Sequence, residues 1–450
     1  MTSSNTTKPS YVPFAILMAV TVVALLIPSV PSVIITEGID SGDTAWMLVA
    51  SAFVLLMTPG LAYFYGGMVN AKNVISTMLQ SFIAMGVISI VWVTVGYSLA
   101  FGESVGGFFG NPMTHFMFKG VLDGKLVGTI PAIVFAFFQL KFAVITPALV
   151  TGSMAERINF KSYVVFMILF SIFIYAPLAH MTWGAGGLLL EMGVLDFAGG
   201  TVVHMSAGWA ALAAAIYLKR RRSHVEGSFL PPANIPYVLL GTGLLWFGWF
   251  GFNAGSALGA NALAASAFAT TNTAAGAAGI SWVLFDAARG KKVSALGFCI
   301  GVVVGLVAIT PAAGFVTIPH SIVIGVVAAI ISNYLSHYKT KTALDDTLDV
   351  FPCHGVGGMV GMVFTGIFAS SSINGVVTDQ GLFFGETTLF IKHMLALVLV
   401  SAFAFLMSFV VLKVTDLIVP MRVTEEDEKL GLDVSQHDES LIEATVYEQK

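Results

Sequence analysis

Charge is what this sequence has least of. Only 10% of its 450 residues are Asp, Glu, Lys or Arg, where a soluble domain carries about 25%. A chain so long and so poor in charge cannot cover a water-facing surface. That excludes an ordinary soluble protein and leaves lipid as its main solvent. The net charge of −4 comes with no basic patch, so nothing points to nucleic acid as a partner. Cysteine is nearly absent as well. Cys299 and Cys353 both lie in apolar runs, which argues against a disulfide framework and reads as two small buried thiols.

Hydrophobic residues fill the gap, at 56% of the chain, and glycine is abundant at 46 residues. In a membrane protein that glycine points to helices packed backbone against backbone. A bilayer-spanning helix needs about 20 predominantly apolar residues. Runs without charge give spans near 44–70, 73–101, 128–154, 162–185, 198–218, 235–257, 262–285, 293–310, 318–336, 352–371 and 386–413. The runs are long and do not alternate as barrel strands do. The expected architecture is an all-α polytopic membrane protein with eleven transmembrane helices, arranged as two inverted five-helix repeats plus a C-terminal helix.

Lys and Arg set the orientation. One set of loops and the tail carry 16 of the 21 bases, and the opposite side holds only Lys8, Lys119 and Lys125. The charged loops alternate along the eleven spans. This places the mature N-terminus outside, the C-terminus in the cytoplasm and the protein in the cell membrane. Residues 1–36 read as a cleaved signal peptide or as an extra apolar segment. Residues 37–420 form the membrane domain. Residues 421–450 carry nine acids against three bases and read as a solvated acidic tail.

The repeat rests on two histidines. Span five contains Val-Val-His204-Met-Ser-Ala-Gly208, and span ten contains Pro-Cys-His354-Gly-Val-Gly-Gly358. Both read His-x-x-x-Gly, five spans apart, so the second unit is inverted in the membrane. Inverted repeats place a binding site at the midplane between the halves. An ionisable group within the membrane is expensive and is a functional candidate by default. Two neutral imidazoles could share one hydrogen bond and offer their other nitrogens to a small polar solute. The alternative is a pair of unrelated histidines bonded to backbone carbonyls. A metal site is not expected. Cys353 adjoins His354, but neighbouring helical residues diverge by about 100° and no third ligand is evident.

Aromatic residues form the second constellation. Phe138 and Phe142 are four apart on one helix face. Trp183 closes span four. Trp246, Trp249, Phe250 and Phe252 precede Asn253-Ala-Gly-Ser256 in span six. Such residues commonly serve packing or interfacial belts. Together they could form a vestibule whose ring faces attract a cation, with the Ser256 hydroxyl as acceptor.

These strings carry a resemblance. Asp43-Thr-Ala-Trp-Met, Pro59-Gly with Phe64-Tyr-Gly-Gly67, Ala155-Glu-Arg157, Asp196-Phe-Ala-Gly-Gly-Thr-Val-Val-His204, Gly248-Trp-Phe-Gly-Phe-Asn-Ala-Gly-Ser256 and Asp349-Val-Phe-Pro-Cys-His354-Gly resemble the ammonium transporters of the Amt/Mep/Rh family from about Asp43 to the tail. The resemblance implies an external ammonium-recruiting site of Phe138, Phe142, Trp183 and Ser256. It implies a phenyl gate of Phe142 and Phe252 above the twin pore histidines His204 and His354. Trp249 supports the site. Asp196 supports it too, although it also reads as a helix cap, and Asp349 occupies the mirrored place before span ten. No cofactor is implied. The expected partners are ammonium or ammonia, with methylammonium as an analogue, the lipid bilayer and two further copies in a homotrimer. A cytoplasmic PII-type signal protein is expected to meet residues 421–450. Gly431-Leu-Asp433 and His437 match the family's tail pattern, but Asp438 follows where glycine is usual. Lys141, beside the gate phenylalanine, is also unusual. It is expected to snorkel outward or to pair across subunits.

A charge at the bilayer centre costs about 2.5–3.5 kcal/mol by insertion scales. An apolar pore therefore favours deprotonation and passage as ammonia. Loss of hydration lowers an amine pKa from its aqueous value of about 10.4. Relay of the proton through the two histidines makes transport electrogenic, and its return outside makes it electroneutral. The histidine pair favours the first. A neutral-gas channel of the Rh type and an ammonium sensor are the alternatives. The Trp183/Ser256 pair speaks against the gas channel and the short tail against a fused sensor domain. No nucleophile or metal constellation suggests an enzyme.

Overall fold

A computed structural model describes residues 11–27, 37–228 and 231–441. The expectations for residues 1–10, 28–36 and 442–450 lie outside them. Within the first segment, α1 (Val12–Leu26) is an apolar helix with no buried residue. Helices then occupy every one of the eleven stretches read as spans. They are α2 (Ser41–Met68), α3 (Ala71–Phe101), α4 (Ala132–Met154), α5 (Phe160–Glu191), α6 (Gly200–Leu218) and α7 (Ile235–Gly255). They continue as α8 (Ala262–Ala288), α9 (Ala295–Ile309), α10 (Ile318–Lys339), α11 (Phe351–Phe368) and α12 (Thr388–Ile418). Among the described residues, nine of these are long and apolar enough to cross a membrane. The other two fall short in different ways. α8 is long but rich in Ala and Thr, and α9 is strongly apolar but only 15 residues long.

The helix starts follow from local chemistry. Asp40, Asn234, Asn261, Ser294 and Thr317 each accept a backbone N–H of the first turn, as good N-caps do. Pro236 and Pro319 sit at the first turns of α7 and α10, where a missing N–H does no harm. α4 starts later than its apolar run because residues before it form a hairpin, Leu126–Val127 against Ile130–Pro131. A second hairpin pairs Ser104–Val105 with Phe109–Gly110.

Glycine decides how closely the helices approach. On α7, a Cβ at Gly241 would stand 2.3 Å from the Phe64 nitrogen. One at Gly251 would stand 2.6 Å from the Ala50 carbonyl oxygen. The face bearing these glycines lets α7 lie directly on the α2 backbone. Four wide π-helical turns, which no residue pattern announces, lie at Trp92–Gly96, Ser171–Tyr175, Gly200–Met205 and Phe351–Val356. Such turns recur at functional sites, and the last two carry His204 and His354.

The tail departs from expectation. It is docked on the ends of the helices rather than solvated. Asn159 N–H donates to the Met421 carbonyl at 2.8 Å and Val423 N–H to the Arg157 carbonyl at 3.1 Å. Two short helices follow, α13 (Glu425–Leu430) and α14 (Leu432–His437). The Asp433 carboxylate accepts from Ser76 N–H at 2.8 Å and Ile75 N–H at 3.1 Å. It thus caps exposed amides near the start of α3. Asn73 Oδ1 accepts from Leu432 N–H, and the Lys72 ammonium donates to the Glu428 and Lys429 carbonyls. Asp438 has φ +56° and ends α14 in the left-handed region that glycine usually fills. Aspartate tolerates that region better than most residues, so the unusual residue leaves the motif's geometry intact.

These contacts define a tail face and a far face. Residues 69–73, 155–161, 218–222 and 339–349 meet the tail or one another on one side. Asp43 and Ala260 meet on the other.

Candidate functional site

The two wide turns bring the histidines together. His204 Nδ1 and His354 Nδ1 lie 3.3 Å apart, their rings 23° from parallel with centroids 5.4 Å apart. Both are buried. Other buried histidines are satisfied by their surroundings. His393 Nε2 accepts from Leu195 N–H, and its Nδ1 meets the Met362 carbonyl. His180 meets the Ala100 carbonyl and the Ser104 hydroxyl. His204 and His354 instead meet each other, and His204 Nε2 has no partner among the described residues.

That nitrogen belongs to a ring lining a cavity of about 10 Å³, room for roughly one water-sized molecule. The rest of the lining is Met57, Leu61, Phe64, Ile145, Leu149, Val203, Leu245, Trp249, Phe252, Val303 and His354. Trp249 stacks on His204 at 5.3 Å and 17°. Its indole N–H donates to Thr310 Oγ1 at 2.9 Å, and that hydroxyl donates to the Leu306 carbonyl at 2.7 Å. Neither Thr310 nor the aliphatic lining was legible beforehand, since every span is apolar.

An aromatic stack continues toward the far face. Phe252 lies 5.9 Å from His204 and 4.2 Å from Phe142. Phe142 meets Phe138 at 4.9 Å and Trp183 at 6.3 Å. Phe138, Phe142 and Phe252 are buried. Ser256 ends α7 and donates to the Phe252 carbonyl at 2.8 Å, so its oxygen retains lone pairs. Its neighbour Gly255 packs on the Phe138 ring, where an added Cβ would approach to 2.9 Å.

Asp196 holds the far-face end of this arrangement. Its carboxylate accepts from Gly199, Gly200 and Thr201 N–H at 2.7–2.8 Å and from the Thr201 hydroxyl. Its backbone carbonyl accepts from the Trp183 indole at 2.9 Å. The side chain caps the His204 turn while the main chain anchors Trp183.

The mirrored place before α11 belongs to Asp346, which corrects the expectation for Asp349. Asp346 accepts from Val350 N–H at 3.2 Å and Phe351 N–H at 2.8 Å. It stands eight residues before His354, as Asp196 does before His204. That spacing was readable in the sequence. Asp349 instead forms an ion pair with Lys339 at 2.6 Å.

A buried ionic cluster ties the tail-face loops together. Arg221 pairs with Glu156 at 2.7 Å and with Asp345 at 2.8 Å. Burial works against the Asp345 carboxylate, but Arg221 prevails and holds its pKa below the usual range. Arg157 is fully buried and donates to the Thr347 hydroxyl and the Asp345 carbonyl. Burial pushes its pKa down to about 10. Lys141 lies 5.6 Å from the Phe137 ring centroid and makes no ion pair among the described residues. Those residues also contain no cluster of three His, Cys, Asp or Glu able to hold a metal ion.

Comparison with known proteins accords with this architecture. The sequence model of the Ammonium Transporter Family matches residues 45–441. An ammonium transporter of Bacillus subtilis (strain 168) is 45% identical over 401 residues, 88% of this chain and 98% of that protein. One from Aquifex aeolicus is 46% identical over 406 residues, covering 89% and 93%. The crystal structure of Saccharomyces cerevisiae Mep2 superimposes with a TM-score of 0.83 at 34% identity, covering 91% of this chain and 94% of that one. This chain therefore belongs to the ammonium transporter family, whose members are multi-pass membrane transporters and not enzymes.

Proposed function

We propose that the protein recruits ammonium at the far face, removes its proton and conducts ammonia past His204 and His354. The observation that carries this reading is the small, apolar cavity lined by His204, His354, Trp249 and Phe252, with room for about one water-sized molecule. A bare cation there would lose its hydration with little in return. Ammonia is small, uncharged and able to use an imidazole nitrogen. Trp183, Phe138 and Phe142 offer ring faces to the incoming cation, and the Ser256 oxygen is free to accept. The contact between the two imidazoles gives a proton a route, so net transfer of one charge per ammonia is the favoured form.

The same reading makes the far face external and the tail face cytoplasmic, with all eleven helical segments crossing the membrane. It includes a homotrimer of separate pores and a PII-type signal protein meeting the tail. Lysine and arginine concentrated in the tail-face loops support the orientation. The tail's seat on α3 gives a tail-binding partner a mechanical link to the helices.

The test is electrical. Purified protein in proteoliposomes on a solid-supported membrane receives an ammonium pulse. A saturable transient current is expected. Its absence from wild type would overturn electrogenic transport, and a current unchanged in His204→Ala would overturn the relay.

A further inference from the structure

The His204 and His354 turns are built alike, and the likeness extends to what anchors them. Asp196 and Asp346 each accept backbone N–H groups of the turn that follows. Three residues after each aspartate the chain enters the left-handed region, at Gly199 with φ +110° and Asp349 with φ +58°. In both places a side chain near the end of the preceding span donates to the aspartate's backbone carbonyl. On the far face it is the Trp183 indole, and on the tail face it is the Lys339 ammonium. Trp183 also packs toward Gly199, where an added Cβ would lie 3.2 Å from the indole ring. Lys339 correspondingly meets Asp349, at 2.6 Å. Thr347 and Leu348, between Asp346 and Asp349, line a cavity of about 250 Å³ that also takes in Glu156 and Arg221, and the Asp349 side chain itself keeps 27% of its surface exposed, so solution reaches this end.

The two mouths thus share a frame and differ in one chemical respect. The far mouth presents a π face, which attracts a cation. The tail mouth presents a cation that belongs to the protein, fixed by an aspartate at the position where its counterpart has glycine. We propose that Lys339 occupies the tail-side counterpart of the recruitment position and confines ammonium collection to the far face. An ammonium ion arriving from the tail side meets a like charge that is already paired, and finds neither a free carboxylate nor a ring face in that place. Lys339 is in this sense a specificity-determining residue for the face from which substrate is gathered. It alters how each face saturates and leaves the equilibrium distribution of ammonia untouched. The inference rests on the reading of Trp183 as a cation-collecting residue.

Initial ammonium flux measured separately from each face of oriented proteoliposomes tests it. In wild type the KM from the tail face is expected to exceed that from the far face at least tenfold. The variant K339M/D349G removes both charges together and places glycine where Gly199 stands in the other turn. Its tail-face KM is expected to fall at least fivefold, with the far-face KM within twofold of wild type. K339Q/D349N, closer in shape, is expected to show the same fall if the first variant fails to insert. Lys339→Arg keeps the charge and is expected to keep the asymmetry. Equal KM values from both faces of wild type would overturn the proposal. So would an unchanged tail-face KM in a double variant with normal far-face flux. Wild type with no saturable flux from either face would instead remove the recruitment reading on which the proposal stands.

Discussion

Gly208 and Gly355 meet backbone to backbone: a Cβ built on Gly208 would stand 2.1 Å from the Gly355 nitrogen and 2.2 Å from its Cα. Gly208 follows His204 by four residues and Gly355 follows His354 directly, so this contact sets how near the two histidine turns can come. Backbone atoms cannot move aside as a flexible side chain can. Gly208→Ala is expected to destabilise the protein by about 3 kcal/mol, or to prevent assembly altogether. Thermal unfolding in detergent, read beside the yield of membrane-inserted protein, checks this. A Gly208→Ala variant with wild-type stability and flux would show that the turns can part at little cost.

Thr310 is expected to matter through Trp249. Thr310→Val keeps the shape of the side chain and leaves the buried indole N–H without an acceptor. An unsatisfied buried donor costs about 1–3 kcal/mol. Thr310→Ser keeps the hydroxyl and should recover most of the loss. Unfolding midpoints of the two variants, with ammonium flux, decide the matter. Equal behaviour of Val and Ser would mean that the hydroxyl does not hold the ring.

Asp196→Ala and Asp346→Ala each remove a carboxylate that receives backbone donors of a histidine turn. Loss of such a cap costs about 0.5–2 kcal/mol. Asp196→Ala is expected to sit at the upper end, because it frees the Thr201 hydroxyl as well as three amides. Chemical unfolding curves for the two variants give the comparison. A larger loss at Asp346 would mean that its turn relies on its cap more than the count of donors implies.

The tail's seat is expected to loosen in mild acid. His437 Nε2 lies 3.1 Å from Ser76 Oγ, and its ring stands edge-on to Phe160 at 4.8 Å. Burial lowers the His437 pKa in the docked tail, against the opposing pull of Asp433 and Glu439. A histidine whose docked pKa is depressed contributes fully above its free value of about 6.5. That contribution is lost as pH falls below this value toward the docked pKa. Burial raises the Asp433 pKa, partly offset by its amide donors, so its protonation favours the docked form in the more acidic range near carboxylate values. Protection factors of the amides of residues 425–437, corrected for the intrinsic pH dependence of exchange, should therefore fall as pH drops below about 6.5. His437→Gln should flatten that dependence. A profile unchanged by His437→Gln would assign the effect to another group.

The pattern of charge along the chain was enough to place the eleven long helical segments from α2 to α12, because a bilayer forbids charge where water would tolerate it. The histidine pair was legible for a related reason: two costly groups in matching places are hard to explain as packing. Asp346 was missed although its spacing to His354 equals that of Asp196 to His204. Asp349 lies closer to the histidine and drew the assignment. Thr310 and the cavity-lining residues Leu149, Leu245 and Val303 could not have been singled out, because in an apolar span a cavity wall and the lipid face have the same composition. The docked tail was hidden by its acidity. Nine acids suggest water, and nothing local reveals that Asp433 finds its donors on a helix more than three hundred residues away.

The narrowness of the space between His204 and Phe252 has a consequence for the cell as a whole. A potassium ion carries a bound shell of water, each molecule of which claims about 30 Å³ in the liquid. The cavity holds about one such molecule. Potassium can neither bring its shell through nor release a proton and continue as a neutral species. A membrane carrying many copies of this protein would therefore keep its potassium gradient.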